Sequence, residues 1–265
     1  STTGSAVNII IGFSVALEST ALPVIIIVGS LLLSATKDFP DWGDQDSPAN
    51  EGPVSSFYIE KTEEKTKVPN MVTAVLADYR GYDTMFETVV IFIAGIGIIA
   101  VLRTYGNNDS TPKNQVGDEG AGLLAKITCS LILPFIQLFA LYVVAHGHHS
   151  PGGGFQGGVM LGASYILLAL AYGLARAKSC FSEKRTLVFA AVGIIIYVGW
   201  GVLCLIMGKE FLNYSALDSI LPGGVEMARS HSMLAVEIGV ALTVTAVMFS
   251  MFSNLSTKGR LDKGL

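Results

Sequence analysis

The sequence predicts an all-α polytopic membrane protein, and three observations support this fold class. Of the 265 residues, 51% are apolar and 14% are charged, whereas a soluble domain usually has about 25% charged residues. Several apolar runs are long enough for a helix to cross the roughly 30 Å hydrocarbon layer of a bilayer. These runs are continuously apolar and do not alternate as barrel strands do. Such a composition excludes an ordinary soluble enzyme, and a net charge of −4 excludes the basic surface of a nucleic-acid binder.

The apolar runs predict about six transmembrane helices, arranged as two and then four. In the first run, from Ile9 to Thr36, the only ionisable residue is Glu18. The run 127–175 contains no Asp, Glu, Lys or Arg, and a turn rich in His and Gly divides it, so it predicts two helices. The predicted spans are 9–35, 85–103, 124–145, 157–176, 186–207 and 232–254.

Polar stretches divide the chain into two modules of unequal size. The polar segment 37–67 is expected to be a loop, and the apolar stripe that follows Pro69 predicts an interfacial helix before the second span. Residues 105–122 have the composition of a linker. We therefore expect a two-helix module at 1–104 and a four-helix module at 123–265.

The distribution of basic residues predicts the orientation in a cell membrane. Cytoplasmic segments of membrane proteins are enriched in Lys and Arg. The segments that follow the second, fourth and sixth predicted spans contain most of the basic residues outside the acidic first loop: Arg103, Lys113, Lys126, Arg176, Lys178, Lys184, Arg185, Lys258, Arg260 and Lys263. This pattern favours a multi-pass protein of the cell membrane with both termini in the cytoplasm.

Glu18 is the first candidate functional residue, because an acidic side chain inside a membrane span is costly and usually has a role. Ser19, Thr20 and Pro23 follow it, and the proline removes the helical hydrogen bond to the Ser19 carbonyl. A carboxylate beside a freed carbonyl suits a hard cation such as sodium. The alternative is a kinked helix whose Glu18 is neutral or paired with a neighbouring subunit.

The segment 68–88 contains the densest group of polar residues. If one helix continued through it, Arg80, Asp83 and Glu87 would share a face, although Gly81 makes that continuity doubtful. Such an acid–base–acid line at the membrane edge could relay protons or pass a cation. The alternative interpretation is a salt-bridge cluster that fixes a bend.

Two further groups of candidates lie in the second module. His146 and His148 belong to a His-Gly-His-His turn, and they suit proton-accessible imidazoles at the mouth of an ion path better than a metal site, because zinc needs three or four convergent ligands. Glu237 lies one or two turns inside the last predicted span and is a candidate ligand for a cation or a proton. The glycines that follow the histidines favour a tight reversal and close helix packing; this structural turn comprises Pro151, Gly152, Gly153, Gly154 and Phe155.

Two long motifs carry a resemblance to a known family. Pro69-Asn-Met-Val-Thr-Ala-Val-Leu-Ala-Asp-Tyr-Arg-Gly-Tyr-Asp-Thr-Met-Phe-Glu resembles the C-terminal region of the large Mrp A protein of Mrp-type sodium/proton antiporters, and the small E protein of archaeal membrane-bound hydrogenases. His146-Gly-His-His-Ser-Pro-Gly-Gly-Gly-Phe-Gln-Gly-Gly-Val is similar to the loop of the Mrp B protein and of its hydrogenase equivalent, the F protein. This chain departs from the pattern because it joins both pieces in one polypeptide.

The resemblance implies a protein that works only in an assembly. In that family, small membrane subunits assemble with larger antiporter-like subunits, and together they exchange sodium for protons. The resemblance makes one set of residues the candidates of the first module: Glu18, Asp78, Arg80, Asp83 and Glu87. It also implies membrane-subunit partners, and Na⁺ and H⁺ as transported ions without a cofactor or metal in this chain.

Two functions remain open from the sequence. The chain is expected either to line or support the ion path of an Na⁺/H⁺ antiporter module, within a pure exchanger or a redox-driven respiratory complex, or to be a non-transporting scaffold in a hydrogenase-like or sulfur-reducing complex. By itself it is not expected to be an enzyme, because no nucleophile–base pair, cofactor loop or set of cluster-ligand cysteines is evident.

Overall fold

A computed structural model describes residues 26–34, 36, 44, 52–106, 122–257 and 259. The chain divides into two compact units, Ser1–Ser55 and Ser56–Leu265. In the first unit the described residues 26–34 are helical. Most of the predicted first span, including Glu18, lies outside the described residues, so the prediction of six spans stays open at this point.

Within the described ranges the chain is helical and contains no strand. Eight α-helices are defined there, and a π-helical turn, Val75–Tyr79, and a 3₁₀ helix, Tyr214–Ser219, accompany them. The α-helices are α1 Pro53–Thr66, α2 Met71–Ala74, α3 Gly81–Gly106, α4 Leu123–Ala145, α5 Gly154–Tyr172, α6 Leu174–Cys180, α7 Glu183–Ile206 and α8 Gly224–Ser256. Five of them are long and apolar enough to cross a membrane, namely α3, α4, α5, α7 and α8. The prediction of an all-α membrane protein is thus confirmed.

The structure corrects three details of the predicted elements. The polar segment 37–67 is not loop throughout, because α1 occupies Pro53–Thr66. The span predicted at 157–176 ends at Tyr172, because Gly173 adopts φ +90° and a separate short helix follows. The last helix begins at Gly224, ahead of the predicted start at 232, because its polar first turns continue the helix that the apolar run defines.

Helix α8 lies at the centre of the larger unit. Of its most apolar stretch 72% is buried, against 17% for the corresponding stretches of α3 and α4. It packs against α3, α5 and α7, and α4 packs against α5. Small residues allow these backbones to approach closely: a methyl group on Gly193 would lie 2.3 Å from the carbonyl oxygen of Gly239.

Two buried clusters fill the space around α8. One includes Tyr197, Tyr214, Leu217 and Met233, and the other includes Phe181 and Phe249 towards the C-terminal end of the helix. The outer faces of α3 and α4 remain apolar and exposed. In a membrane such faces are covered by lipid or by other subunits.

Candidate functional site

Asn70 joins the two sequence motifs. Its side-chain amide donates hydrogen bonds to the backbone carbonyls of Gly147 and Ser150, each at 2.8 Å, and its backbone N–H donates to the carbonyl of His148 at 3.0 Å. The Thr73 hydroxyl also donates to the Gly147 carbonyl, at 2.8 Å. The turn of the second module is therefore held by the segment that opens the interfacial region of the first. We call this meeting point the motif junction, comprising residues 70–81, 146–154 and 229–237.

A buried ion pair ties the same segment to α8. The Nε of Arg229 donates to Oδ2 of Asp78 at 2.6 Å, and the Asp78 side chain is only 5% exposed. Burial raises the pKa of Asp78, and the hydrogen bond and charge of Arg229 oppose that rise. The guanidinium also lies 5.3 Å from the centre of the Tyr79 ring, which adds a cation–π attraction.

Two other predicted residues of this segment lie at the surface. Arg80 and Asp83 form an ion pair whose side chains are 60% and 48% exposed. The helix does not run through them, because Arg80 has φ −119° and ψ 31° and α3 begins at Gly81. Glu87 lies on α3 and is exposed. The structure thus breaks the continuous acid–base–acid face that an unbroken helix would form.

Glu237 lies in the centre of the motif junction. Its residue is 9% exposed, and its carboxyl group lies against the glycine backbone of the His turn. A methyl group built on Gly153 would lie 2.9 Å from Oε1, and one on Gly147 would lie 3.0 Å from Oε2. Within the described part of the chain Oε2 has no hydrogen-bond partner. A buried carboxyl oxygen without a partner is costly and needs a proton, a cation or a water molecule.

Two buried tyrosines connect the ion pair to Glu237. The Tyr197 hydroxyl donates to the Gly81 carbonyl at 2.9 Å, and the Tyr214 hydroxyl donates to the Ala77 carbonyl at 3.1 Å. Three carboxyl groups lie near enough to the Tyr197 hydroxyl to act on it electrostatically, those of Asp78, Glu87 and Glu237. The structure therefore gathers acids from three elements, far apart in the sequence, around one hydroxyl.

The two predicted histidines have different surroundings. His148 points inward, with Nδ1 3.5 Å from the Ser230 hydroxyl oxygen. His146 stacks on Tyr142, with ring centres 4.8 Å apart, and its ring centre lies 5.3 Å from that of the exposed His149. Throughout the described ranges no group of three or more His, Cys, Asp or Glu side chains could hold a metal ion.

The stability of the fold should fall at acidic pH because of His148. Burial lowers the pKa of His148, and the nearby His149 and His231 lower it further. An unfolded histidine has a pKa of about 6.5. Below that value the unfolded chain takes up a proton that the folded chain refuses, so stability is fully present above about pH 6.5 and is lost as the pH falls below it.

We expect the thermal unfolding midpoint of the detergent-solubilised protein to decrease between about pH 7.5 and 5.5, and the loss from one group is at most about 1.4 kcal/mol per pH unit. His148→Gln should flatten this part of the profile, whereas His149→Gln at the exposed neighbour should retain it. Equal profiles for the two variants would refute the assignment to His148.

The glycine turn brings α5 directly onto α8. Gly153 has φ +129°, a conformation that favours glycine, and its N–H donates to the Val143 carbonyl at 3.2 Å. A methyl group on Gly154 would lie 2.0 Å from the Glu237 carbonyl oxygen. Gly152 contacts Val143 as well, and Phe155 is 42% exposed. The predicted structural turn thus encloses the Glu237 carboxyl group with backbone.

Sequence reasoning missed Asn70 and Arg229 as members of the site. Asn70 stood inside the quoted motif but had no visible partner, and Arg229 appeared only as one of few basic residues near the last span. A basic residue at the polar start of an apolar helix, in a chain with a candidate acid in another module, is the signal that could have identified the ion pair. Glu18 lies outside the described residues.

The fold and this junction define a class of protein: a multi-pass membrane subunit with buried ionisable groups. Two family models match the chain, one for a domain related to the MnhB subunit of the Na+/H+ antiporter at residues 124–250 and one for the E protein of MBH at residues 46–115. The B protein of the Na(+)/H(+) antiporter of Bacillus subtilis (strain 168) is 30% identical over 135 residues, which is 50% of this chain and 92% of the relative. The chain therefore belongs to the MnhB-related family of antiporter subunits.

Two further comparisons extend the match to both modules. The A/B protein of the probable K(+)/H(+) antiporter of Rhizobium meliloti (strain 1021) is 23% identical over 192 residues, 64% of this chain but only 19% of that protein. A chain of the membrane-bound sulfane sulfur reductase, an archaeal respiratory membrane complex, is 26% identical with a TM-score of 0.69, covering 90% of this chain and 97% of that one. The resemblance drawn from the two motifs is confirmed, and the chain is a membrane subunit whose partners are other membrane subunits.

Proposed function

We propose that this chain is part of a monovalent cation (Na⁺)/proton antiporter module and that it helps to line or support the ion path. The observation that carries the proposal is the buried carboxyl group of Glu237, whose Oε2 has no hydrogen-bond partner among the described residues. It lies within a membrane-length helix, where an ionisable group usually serves a transported ion or a proton relay.

The surroundings of Glu237 support a route for ions through the motif junction. Asp78 and Glu87 share the electrostatic neighbourhood of Tyr197 with it, and His148 lies in the turn that covers it. Exposed Glu87, on an apolar helix, extends the series of acids towards the surface where other subunits would assemble. Sodium and protons would be the ions handled, and the chain would need no cofactor and catalyse no reaction by itself.

The proposal includes a membrane arrangement of six spans. The first span at 9–35 joins the five helices that the structure describes, and α2 with the following π-turn lies at the interface before α3. Both termini then lie in the cytoplasm, since the basic residues between α5 and α7 belong to the same side. The redox-driven complex and the pure exchanger are both consistent with this arrangement.

Glu237→Gln should abolish transport without disrupting assembly. Glutamine keeps the size of the side chain but cannot exchange a proton or hold a cation by charge, so we expect roughly a tenfold or greater loss of sodium-dependent proton exchange. The measurement is dye-monitored proton movement in inside-out vesicles containing the complete complex. Native gel electrophoresis reports assembly, and Glu226→Gln, at an exposed position of the same helix, is the matched control.

A scaffold without transport is the second candidate, and the hydrogen bonds of Asn70 with the Asp78–Arg229 pair favour it, because they serve to fix the two modules together. The structural similarity to the sulfane sulfur reductase complex also agrees with it. Unchanged exchange in assembled complexes carrying Glu237→Gln, Glu18→Gln or Asp83→Asn would support the scaffold and reject the transport proposal.

A further inference from the structure

Basic side chains gather at the end of the larger unit opposite the motif junction. There α5 ends, α6 follows, α7 begins and the C-terminal part of α8 packs beside them, as shown by the Phe181–Phe249 ring distance of 5.9 Å. Arg176, Lys184 and Arg185 are exposed at this end. The only acid between residues 176 and 185 is Glu183, and it is already paired with Arg103 of α3.

The position of two of these charges is not explained by helix stability. Lys184 and Arg185 lie in the first turn of α7, where the positive end of the helix dipole disfavours cations. Basic residues at that place, together with the N–H groups of the same helix start, are suited to an anion such as a phosphate group. A helix start alone would not define a site, but a second feature lies beside it.

A polar pocket opens between α6, α7 and α8 next to these residues. Its lining comprises Lys178, Phe181, Glu183, Thr186, Phe249, Ser250, Ser253 and Asn254. Asn254 is 1% exposed, and its amide group donates to the Ser250 carbonyl at 2.8 Å. Its own Oδ1, and the Oγ of Ser250, have no hydrogen-bond partner within the described part of the chain. An amide oxygen can only accept, so this pocket is suited to a hydroxyl donor.

An apolar stripe leads away from the basic residues along α7. Val188, Val192 and Ile195 follow Lys184 at helical spacing and are exposed by 51%, 40% and 66%. On a membrane-spanning helix such a stripe faces acyl chains or a partner. Phosphate-binding charge, a buried acceptor for hydroxyl groups and an acyl-chain surface thus occur in this order from the end of the helix towards its middle.

We propose that this end of the bundle binds an anionic phospholipid whose headgroup carries hydroxyl groups. The phosphate lies against Lys178, Lys184 and Arg185, a headgroup hydroxyl donates to Asn254 Oδ1 or Ser250 Oγ, and the acyl chains follow the α7 stripe. The positive charge here disfavours a bound cation. Clusters of basic residues at the membrane end of a helix attract anionic lipid by about fivefold per charge.

The test measures lipid binding to the complete complex, purified in detergent and freed of endogenous lipid. Native mass spectrometry would give the affinities of dioleoyl phosphatidylglycerol, dioleoyl phosphatidylcholine and dioleoyl phosphatidic acid, with inorganic phosphate as a competitor. We expect phosphatidylglycerol to bind roughly tenfold or more tightly than phosphatidylcholine. It should also bind more tightly than phosphatidic acid, which has no headgroup hydroxyl beyond its phosphate.

Variants assign the binding to this place. Lys184→Gln should weaken phosphatidylglycerol binding about fivefold, whereas Lys209→Gln, which removes an exposed charge just beyond the other end of α7, should change it little. Ser250→Ala should reduce the preference for phosphatidylglycerol over phosphatidic acid. Equal binding of phosphatidylglycerol and phosphatidylcholine, or equal effects of the two lysine variants, would overturn the proposal. Displacement of the lipid by millimolar inorganic phosphate would show a free-phosphate site and refute the lipid assignment.

Discussion

Gly154→Ala should prevent α5 from packing on α8. The added methyl group would lie 2.0 Å from the carbonyl oxygen of Glu237 and 2.7 Å from its carbonyl carbon, and neither backbone can move without displacing a whole helix. Overpacking of a core usually costs about 1–3 kcal/mol, and a contact with backbone belongs at the upper end of that range. The free energy of unfolding in mixed detergent micelles, followed by circular dichroism, measures the loss.

Gly199→Ala is the matched control for this substitution. Gly199 also lies inside a membrane-length helix, α7, but a methyl group there has no atom within 4 Å among the described residues. Alanine favours a helix over glycine by about 1 kcal/mol, so this variant should be neutral or slightly more stable. If both alanine variants destabilised the protein alike, close contact between α5 and α8 would not be the reason.

Arg229→Met should destabilise the protein more than the loss of an ordinary surface charge. It leaves the carboxylate of Asp78, with its side chain 5% exposed, without its cation, and breaking one partner of a buried pair costs about 3–5 kcal/mol. The double variant Asp78→Leu with Arg229→Met should recover most of that loss, because no charge is then left unpaired. Chemical unfolding of the wild-type protein and both variants measures these effects.

Arg80→Met provides the comparison for the buried pair. Its partner Asp83 is 48% exposed at the side chain, and exposed ion pairs contribute only about 0–1 kcal/mol. The loss should therefore be several times smaller than that of Arg229→Met, although both variants remove one arginine of a pair within the same region. Similar losses would show that burial is not what makes the Asp78–Arg229 pair important.

The apolar helices could be predicted from the sequence because their length is set by the bilayer. The span predicted at 124–145 agrees closely with Leu123–Ala145, since the apolar run itself begins and ends there. The start of α8 could not be placed in the same way. Residues such as Glu226 and Arg229 are polar, yet they continue the helix beyond the apolar run, where hydropathy gives no signal.

The candidate site was only partly predictable, for a physical reason. Sequence patterns indicate costly residues such as Asp78 and Glu237, because a charge in an apolar run is visible locally. Their partners depend on tertiary contacts: Arg229 is 151 residues from Asp78, and Asn70 is 77 residues from Gly147. No local periodicity encodes these pairs. Arg80 illustrates the opposite case, since a motif position with an attractive charge proves to be exposed.

The bonds from Asn70 to the histidine turn, and from Asp78 to Arg229, cross between the two modules without help from residues 107–121. Covalent continuity therefore adds proximity rather than specificity, since a tether raises the local concentration of one piece near the other but leaves their docking surfaces unchanged. A gene split between these pieces would still yield two polypeptides that recognise each other. Fusion and fission of such genes thus become interchangeable solutions for building the same membrane wall.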